Sequence, residues 1–115
     1  MSLYHLDLSD NNISDISALA GLTKLIRLRL GENHISDISV LSGMESLKDL
    51  GLRYNEISDV SSLGSLTSLT LLNLGDNNIS DVSALANLTN LTNLYLKENA
   101  ISDYSPVEFV INLTK

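Results

Sequence analysis

The stretch LTLLNLGDNNISDVSALANLTN, residues 69–90, is one complete copy of a 22-residue unit that occurs five times along the chain. Each copy opens with a leucine, and with that leucine as position 1 the unit reads L-x-x-L-x-L-x-x-N-x-I-S-D-[IVY]-S-x-[LV]-x-x-[LMV]-x-x. A repeat of this length predicts a solenoid, in which each copy packs only against its neighbours. We assign the units to residues 3–24, 25–46, 47–68, 69–90 and 91–115 of a single domain, 1–115.

The first half of the unit has the pattern of a short strand. Leucines at positions 4 and 6 are separated by a variable, mostly polar position, which is the two-residue period of a strand with one buried face. Position 9 is asparagine in every unit, and its amide can bond backbone groups of its own loop and of the next one. Such a ladder would satisfy turn backbone that is costly to bury. The predicted ladder consists of Asn11, Asn33, Asn55, Asn77 and Asn99.

The second half of the unit has the pattern of a return segment. Aliphatic residues recur every three residues at positions 11, 14, 17 and 20, which fits a 3₁₀-like or extended path better than a long α-helix. The aspartate at position 13 can accept hydrogen bonds from backbone N–H groups two or three residues later and so cap this segment. Together the two halves predict an α/β solenoid. It would be right-handed, with a curved parallel sheet on the concave side and short 3₁₀ or helical turns on the convex side.

The fifth unit departs from the pattern. Tyr104 replaces the aliphatic residue at position 14, and Pro106 follows. If residues 113–115 match the ends of earlier units, the fifth unit has 25 residues. Because proline suits the first turn of a helix, we predict a helix from about Pro106 to about Asn112 that is longer than its counterparts. Neither end resembles a polar cap, so we expect a fragment of a longer array or weak end-to-end self-association.

The composition excludes several classes of protein. The formal net charge of −7 argues against nucleic acid and anionic membranes as partners. The absence of cysteine rules out disulfides and thiolate metal sites. No apolar stretch approaches the roughly 18 residues that membrane insertion requires. The first residues lack the charged and apolar regions of a signal peptide, so the sequence leaves the compartment unknown.

Two stretches carry a family resemblance: Asn-Asn-Ile-Ser-Asp-Ile-Ser-Ala-Leu (11–19) and Ile-Ser-Asp-Tyr-Ser-Pro (101–106). They resemble the 22-residue leucine-rich repeats of bacterial internalins and, less closely, the class named after a regulatory subunit of protein phosphatase 1. The resemblance covers essentially the whole chain. It implies a leucine-rich-repeat superhelix that binds a protein on its concave face, and a secreted or cell-surface location. Internalins also carry a signal peptide, a helical cap and an immunoglobulin-like segment, which are missing here, so the resemblance leaves the ligand open.

The variable positions indicate where a ligand would bind. Positions 3, 5 and 7 should face outward on strands about 4.8 Å apart. Arg27, Arg29 and Arg53 gather there beside Tyr54, and arginine and tyrosine are enriched in binding hot spots. The alternative is that polar residues merely fill an exposed face, with Asp7 and Asp49 pairing to the arginines. The predicted binding residues are His5, Arg27, Arg29, Asp49, Arg53, Tyr54, Leu71, Asn73, Asn93, Tyr95 and Lys97.

The sequence predicts neither catalysis nor a cofactor. His5 and His34 lie at different repeat positions, and the serines at positions 12 and 15 recur in every unit as scaffold residues do. Position 8 could form a column of calcium-binding carboxylates, but Tyr54 interrupts it and a solvated acidic rim is the simpler interpretation. That rim consists of Asp10, Glu32, Asp76 and Glu98. We therefore predict a protein-binding module that is not an enzyme and holds no metal. The alternatives are a spacer segment of a larger repeat protein and an excised or engineered scaffold without a ligand.

Overall fold

Short parallel strands alternate with 3₁₀ turns along the computed structural model, which describes residues 2–115. In this range six strands form one sheet in which each pairs with the next along the chain. The strands are β1 (His5–Asp7), β2 (Arg27–Arg29), β3 (Asp49–Gly51), β4 (Leu71–Asn73), β5 (Asn93–Tyr95) and β6 (Asn112–Thr114). The 3₁₀ turns are Ser17–Gly21, Ser39–Gly43, Ser61–Ser65, Ser83–Asn87 and Ser105–Val107. The predicted solenoid is therefore confirmed, with 3₁₀ turns as its return segments.

The repeat length sets the register of the sheet. Leu28 pairs with Leu50, and Leu50 pairs with Leu72, so residues at the same repeat position become neighbours on adjacent strands. The same holds between β1 and β2 and between β4 and β5. Each repeat position therefore forms a column that runs across the sheet.

The core consists of aliphatic residues from every coil, packed in these columns. Leu28, Leu50 and Leu72 from position 4 are completely buried, as are Ile57 and Ile79 from position 11. Burying one such side chain is worth about 1.5–3 kcal/mol. A single coil could not bury them, so the contacts between coils supply most of the stability.

The first coil shows the consequence of having a neighbour on one side only. Leu6, Leu8 and Ile13 are only half-buried, whereas Leu28, Leu30 and Ile35 at the same positions of the second coil are completely buried.

The aspartates at position 13 are part of the scaffold, as predicted. Asp59 Oδ1 accepts a hydrogen bond of 2.9 Å from the Ser61 N–H, the first residue of its 3₁₀ turn. The same contact recurs in the other coils, at Asp15, Asp37, Asp81 and Asp103. The Ser61 N–H and, to a smaller extent, its side chain hold the pKa of Asp59 below its ordinary value, because these hydrogen bonds favour the ionised carboxylate.

The asparagines at position 9 connect neighbouring coils. Asn55 Nδ2 donates to the Leu52 carbonyl of its own loop at 3.1 Å and to the Leu30 carbonyl of the preceding coil at 3.0 Å. Asn55 Oδ1 accepts from the Ile35 N–H, also in the preceding coil, at 3.0 Å. Asn33, Asn77 and Asn99 make the equivalent bonds. The lateral bonds thus run to the preceding coil, whereas we expected the following one.

The predicted helix from Pro106 to Asn112 is wrong. The 3₁₀ turn Ser105–Val107 is shorter than its counterparts, and Asn112 begins β6. This strand gives β5 a second partner, because the Leu96 N–H donates to the Thr114 carbonyl at 2.7 Å. A helix through Asn112 would forgo these ladder bonds and leave the edge of β5 unpaired.

The end of the fifth unit is corrected for the same reason. Leu113 pairs with Leu94, so it occupies position 4 of a sixth coil and does not end the fifth unit. The fifth unit is accordingly three residues shorter than the others, where the sequence comparison suggested an insertion of three. Val110, only 5% exposed, combines two positions of the coil before. Its N–H donates to the Val107 carbonyl as that of Leu88 donates to Leu85, and it precedes Leu113 by three residues as Leu91 precedes Leu94. A three-residue deletion after the turn therefore keeps the core closed.

Candidate protein-binding face

The outward side of the sheet, called here the concave face, consists of positions 3, 5 and 7 of each coil. The strands hold positions 3 and 5 in place, and the leucine between them is buried, so these side chains emerge on the opposite side. All predicted binding residues lie on this face or, in the case of Tyr54, at its border on position 8. Position 3 supplies His5, Arg27, Asp49, Leu71 and Asn93; position 5 supplies Asp7, Arg29, Gly51, Asn73 and Tyr95; position 7 supplies Ser9, Gly31, Arg53, Gly75 and Lys97.

Two arginines share one carboxylate near the centre of this face. Asp49 Oδ2 lies 2.7 Å from Arg29 Nη2 and 3.4 Å from Arg27 Nε. One aspartate faces two guanidinium groups, so the cluster carries a formal charge of +1. Arg29 Nε and Asp49 Oδ1 are buried and have no hydrogen-bond partner among the described residues. The network is therefore incompletely satisfied within this chain, which is unusual for buried polar atoms.

The third arginine is held by the neighbouring coil. Arg53 Nε lies 3.1 Å from Asp76 Oδ2, and the guanidinium carbon lies 4.5 Å from the centre of the Tyr54 ring. The hydrogen bond to Asp76 is the main cause that raises the pKa of Arg53, so this group is charged at every relevant pH. From the sequence, Asp76 was predicted to belong to a solvated acidic rim, and its contact with Arg53 was not predicted. The strand register could have revealed this contact, because it brings position 8 of one coil beside position 7 of the coil before it.

Glycines open a depression between the arginines. A Cβ atom on Gly51 would lie 2.9 Å from Arg29 Cδ, so the absence of a side chain there lets Arg29 lie across the sheet. A depression of about 150 Å³ lies beside it. Its lining consists of Asp7, Ser9, Arg29, Gly31, Gly51, Arg53 and Asn73. This shape was not predicted from the sequence.

Asp7 does not pair with an arginine. The alternative interpretation had both Asp7 and Asp49 neutralising the arginines; of these two aspartates, Asp49 does so, and Asp7 forms no ion pair with a described residue. Asp7 accepts hydrogen bonds from the hydroxyl and the N–H of Ser9. Those bonds, the hydroxyl first, hold the pKa of Asp7 below its ordinary value. Its charge is thus satisfied locally.

Position 8 has a left-handed backbone in the five coils from 10 to 98, with φ between 55° and 62°. Aspartate tolerates this region, but a bulky residue there is a strained outlier. Tyr54 is the one aromatic residue at this position, and 47% of it is exposed. Strained residues persist where the surrounding structure or a function requires them.

Charge is unevenly distributed between the concave face and the rest of the molecule. Positions 3, 5 and 7 hold four of the seven basic residues and two of the 14 acidic ones, a formal net charge of +2 that leaves −9 for the remainder. Within residues 2–115, no group of three His, Cys, Asp or Glu side chains could hold a metal ion. None of the described helices has the length and hydropathy needed to cross a bilayer.

Comparison with known proteins agrees with the repeat architecture. A family model described as "Leucine rich repeat" matches residues 1–57, and one described as "Leucine Rich repeats (2 copies)" matches 45–87 and 67–108. A search of curated proteins gave no match.

Among solved structures, internalin C2 of Listeria monocytogenes is 41% identical with a TM-score of 0.95, over 97% of this chain and 51% of that one. Internalin F of the same organism is 37% identical with a TM-score of 0.94, over 98% of this chain and 34% of that one. A leucine-rich-repeat protein of Leptospira interrogans shares the fold at 24% identity and a TM-score of 0.86, over 96% of this chain and 30% of that one. The chain spans about half the length of internalin C2 and about a third of internalin F. The chain belongs to the leucine-rich-repeat family, and its repeats resemble those of the Listeria internalins.

Proposed function

We propose that this chain is a protein-interaction module that binds a protein partner on the concave face, with Arg27, Arg29 and Arg53 at the centre and Tyr54 at the border. Leucine-rich-repeat proteins generally mediate contacts between proteins. The observation that carries the assignment to this face is the gathering of basic and aromatic residues on a surface that the scaffold does not use. Arginine and tyrosine contribute disproportionately to binding energy at protein interfaces.

The variability of the face supports this proposal. Core positions keep nearly the same residue in every coil because each coil performs the same packing, as Leu50 and Leu72 do. Position 3 instead changes from histidine to arginine, aspartate, leucine and asparagine along the sheet. Repeated packing therefore does not account for the residues of this face.

Tyr54 gives a second line of support. A left-handed tyrosine costs the fold about 1–2 kcal/mol relative to a residue that prefers this backbone. Its ring remains half exposed, and its contact with Arg53 is a surface cation–π interaction worth about 0.5–1 kcal/mol. Packing within the chain thus offsets only part of the strain, which favours a role in binding.

A capture experiment tests the proposed function. The chain is immobilised and exposed to solubilised surface proteins of host cells, because the resemblance to internalins favours an extracellular partner. A triple variant, Arg27→Ala, Arg29→Ala and Tyr95→Ala, should lose the captured protein. A control with the exposed substitutions Lys24→Ala, Thr67→Ala and Thr89→Ala, which lie between the 3₁₀ turns and the strands and outside the concave face, should retain it. Equal capture by both variants, or no specific capture by the parent chain, would contradict the proposal.

The same resemblance leads us to propose a secreted or cell-surface location. Fractionation of the source cells, with detection of the chain in the medium or in the surface fraction, tests it directly. Detection in the cytosol alone would reject it.

A further inference from the structure

We infer that the partner presents a carboxylate side chain, from a glutamate or an aspartate, to the concave face. This carboxylate contacts the pair Arg27 and Arg29 from the side of the depression that lies between Arg29 and Arg53. This inference rests on the proposed function and specifies the chemistry of the partner.

The first step is charge balance. Asp49 compensates one of the two arginines that contact it, and the remaining positive charge has no counterion within 4 Å among the described residues. A guanidinium group offers five N–H donors, and the Arg27 and Arg29 side chains are 54% and 42% exposed, so an acceptor from outside can reach them. A carboxylate from outside would supply both the missing charge and acceptor oxygens.

The second step is preorganisation. Asp49 and the bare backbone of Gly51 hold Arg29 in place, while Asp76 and the Tyr54 ring hold Arg53. Side chains that are already fixed lose little entropy when a ligand arrives, which favours binding. Arg27 and Arg53 face their aspartates through Nε, so their terminal nitrogens lie outside these contacts.

The third step is space. The depression of about 150 Å³ lies where Gly31 and Gly51 carry no side chain, and both Arg29 and Arg53 line it. A carboxylate side chain entering there would meet two guanidinium groups. Asp7 also lines the depression, but Ser9 satisfies its carboxylate and the arginines outnumber it.

The charge of the whole molecule decides between a single carboxylate and an extended polyanion. The remainder of the chain carries −9, and the column at position 8, directly beside the basic face, includes Asp10, Glu32, Asp76 and Glu98. A nucleic acid or sulfated glycan would bring many negative charges against this border and be repelled. An isolated acidic residue of a protein fits a small basic centre.

The test is a selection of random dodecapeptides displayed on phage against the immobilised full chain. We expect the selected peptides to carry one or two Glu or Asp residues and no long acidic runs. In fluorescence anisotropy, Glu→Gln in a selected peptide should weaken binding to the parent chain about tenfold or more, as expected for a close charge pair. The same exchange should have a clearly smaller effect on binding to the Arg29→Gln variant, because one of the guanidinium groups that meet the carboxylate is gone.

Two further variants test whether binding depends on the position of the arginines or only on the net positive charge of the chain. Gly51→Ala keeps every charge but must displace Arg29, so it should weaken peptide binding as Arg29→Gln does. Lys24→Gln removes one positive charge outside the concave face and should leave binding unchanged. Urea unfolding verifies that each variant remains folded.

The outcomes are distinguishable from failure of the proposed function. Peptides that depend on Tyr54 and Tyr95 but tolerate Glu→Gln would overturn the carboxylate inference and leave concave-face binding intact. Peptides indifferent to every concave substitution, or no selected peptides at all, would count against both. Unimpaired binding to the Gly51→Ala variant, or heparin competing as strongly as the selected peptides do, would also overturn the inference.

Discussion

Replacement of Asn55 by alanine tests the physical basis of the stack. Asn55 is 8% exposed and bonds two coils together through both atoms of its amide. Its removal leaves the Ile35 N–H, in a completely buried residue, without its side-chain acceptor. The Leu30 and Leu52 carbonyls keep a partner, since Asn33 also donates to the first and Asn77 to the second.

The magnitude follows from this accounting. One orphaned buried donor costs about 1–3 kcal/mol, and the two carbonyls that stay bonded add little. We therefore expect Asn55→Ala to lower the free energy of unfolding by about 1–3 kcal/mol. A domain of this size has a total stability of about 5–15 kcal/mol, so the change is well within measurement.

Urea unfolding followed by far-UV circular dichroism measures the effect, with the slope against urea checked for constancy. Asn11→Ala is the matched control. Asn11 is exposed and, among residues 2–115, its side chain bonds only the Leu8 and Ser9 carbonyls of its own loop. It should cost less than about 0.5 kcal/mol. The account of the ladder would be refuted if Asn55→Ala lowered the free energy of unfolding by less than about 0.5 kcal/mol, or if Asn11→Ala lowered it by as much as Asn55→Ala does.

Three further predictions concern the end of the array, the acidic caps and the strained turn. Val110→Ala should cost about 2 kcal/mol because it empties buried space, whereas Ile111→Ala, 83% exposed, should be neutral in the same urea assay. The lowered pKa of Asp59 adds stability that is complete above its ordinary value of 3.8 and is lost as the pH falls through the lowered value. Urea midpoints at about pH 6 and pH 3 should therefore differ less in Asp59→Asn than in the parent chain. Glu98→Asn should raise the free energy of unfolding in the same assay by about 0.5 kcal/mol, because asparagine adopts the left-handed backbone more readily than glutamate does. Glu108→Asn, at a φ of −64°, should give no such gain.

The sequence predicted the scaffold well because a repeated structure has few independent choices. Once Leu28, Leu50 and Leu72 are seen 22 residues apart, parallel pairing in register follows, and the three-residue spacing of the return segment predicts the 3₁₀ turns. The prediction failed at the last coil, where the period changes. There Leu113 fits two positions of the repeat equally well, and the gain from pairing with β5 decides between them.

The proposed binding face was only partly predictable. Exposed arginines and tyrosines are visible in the sequence, and so is their gathering on one face. The sharing of Asp49 by Arg27 and Arg29, and the placement of Arg29 over Gly51, depend on side-chain paths between strands. A repeat alignment gives the column of each residue but not the direction in which a long side chain leans.

The scaffold positions of the repeat and the outward positions 3, 5 and 7 are physically independent, and this independence suits the fold to binding. The asparagine ladder satisfies backbone groups of the turns without help from the outward residues. The Leu52 carbonyl, for example, accepts hydrogen bonds from the side chains of both Asn55 and Asn77. Arg27, with 54% of its side chain exposed, contributes little to that stability. The outward columns can therefore change residue by residue while the stack stays the same. The scaffold does not require the cluster of Arg27, Arg29 and Arg53, so the proposed role in binding a partner explains this cluster more simply than a role in stability does.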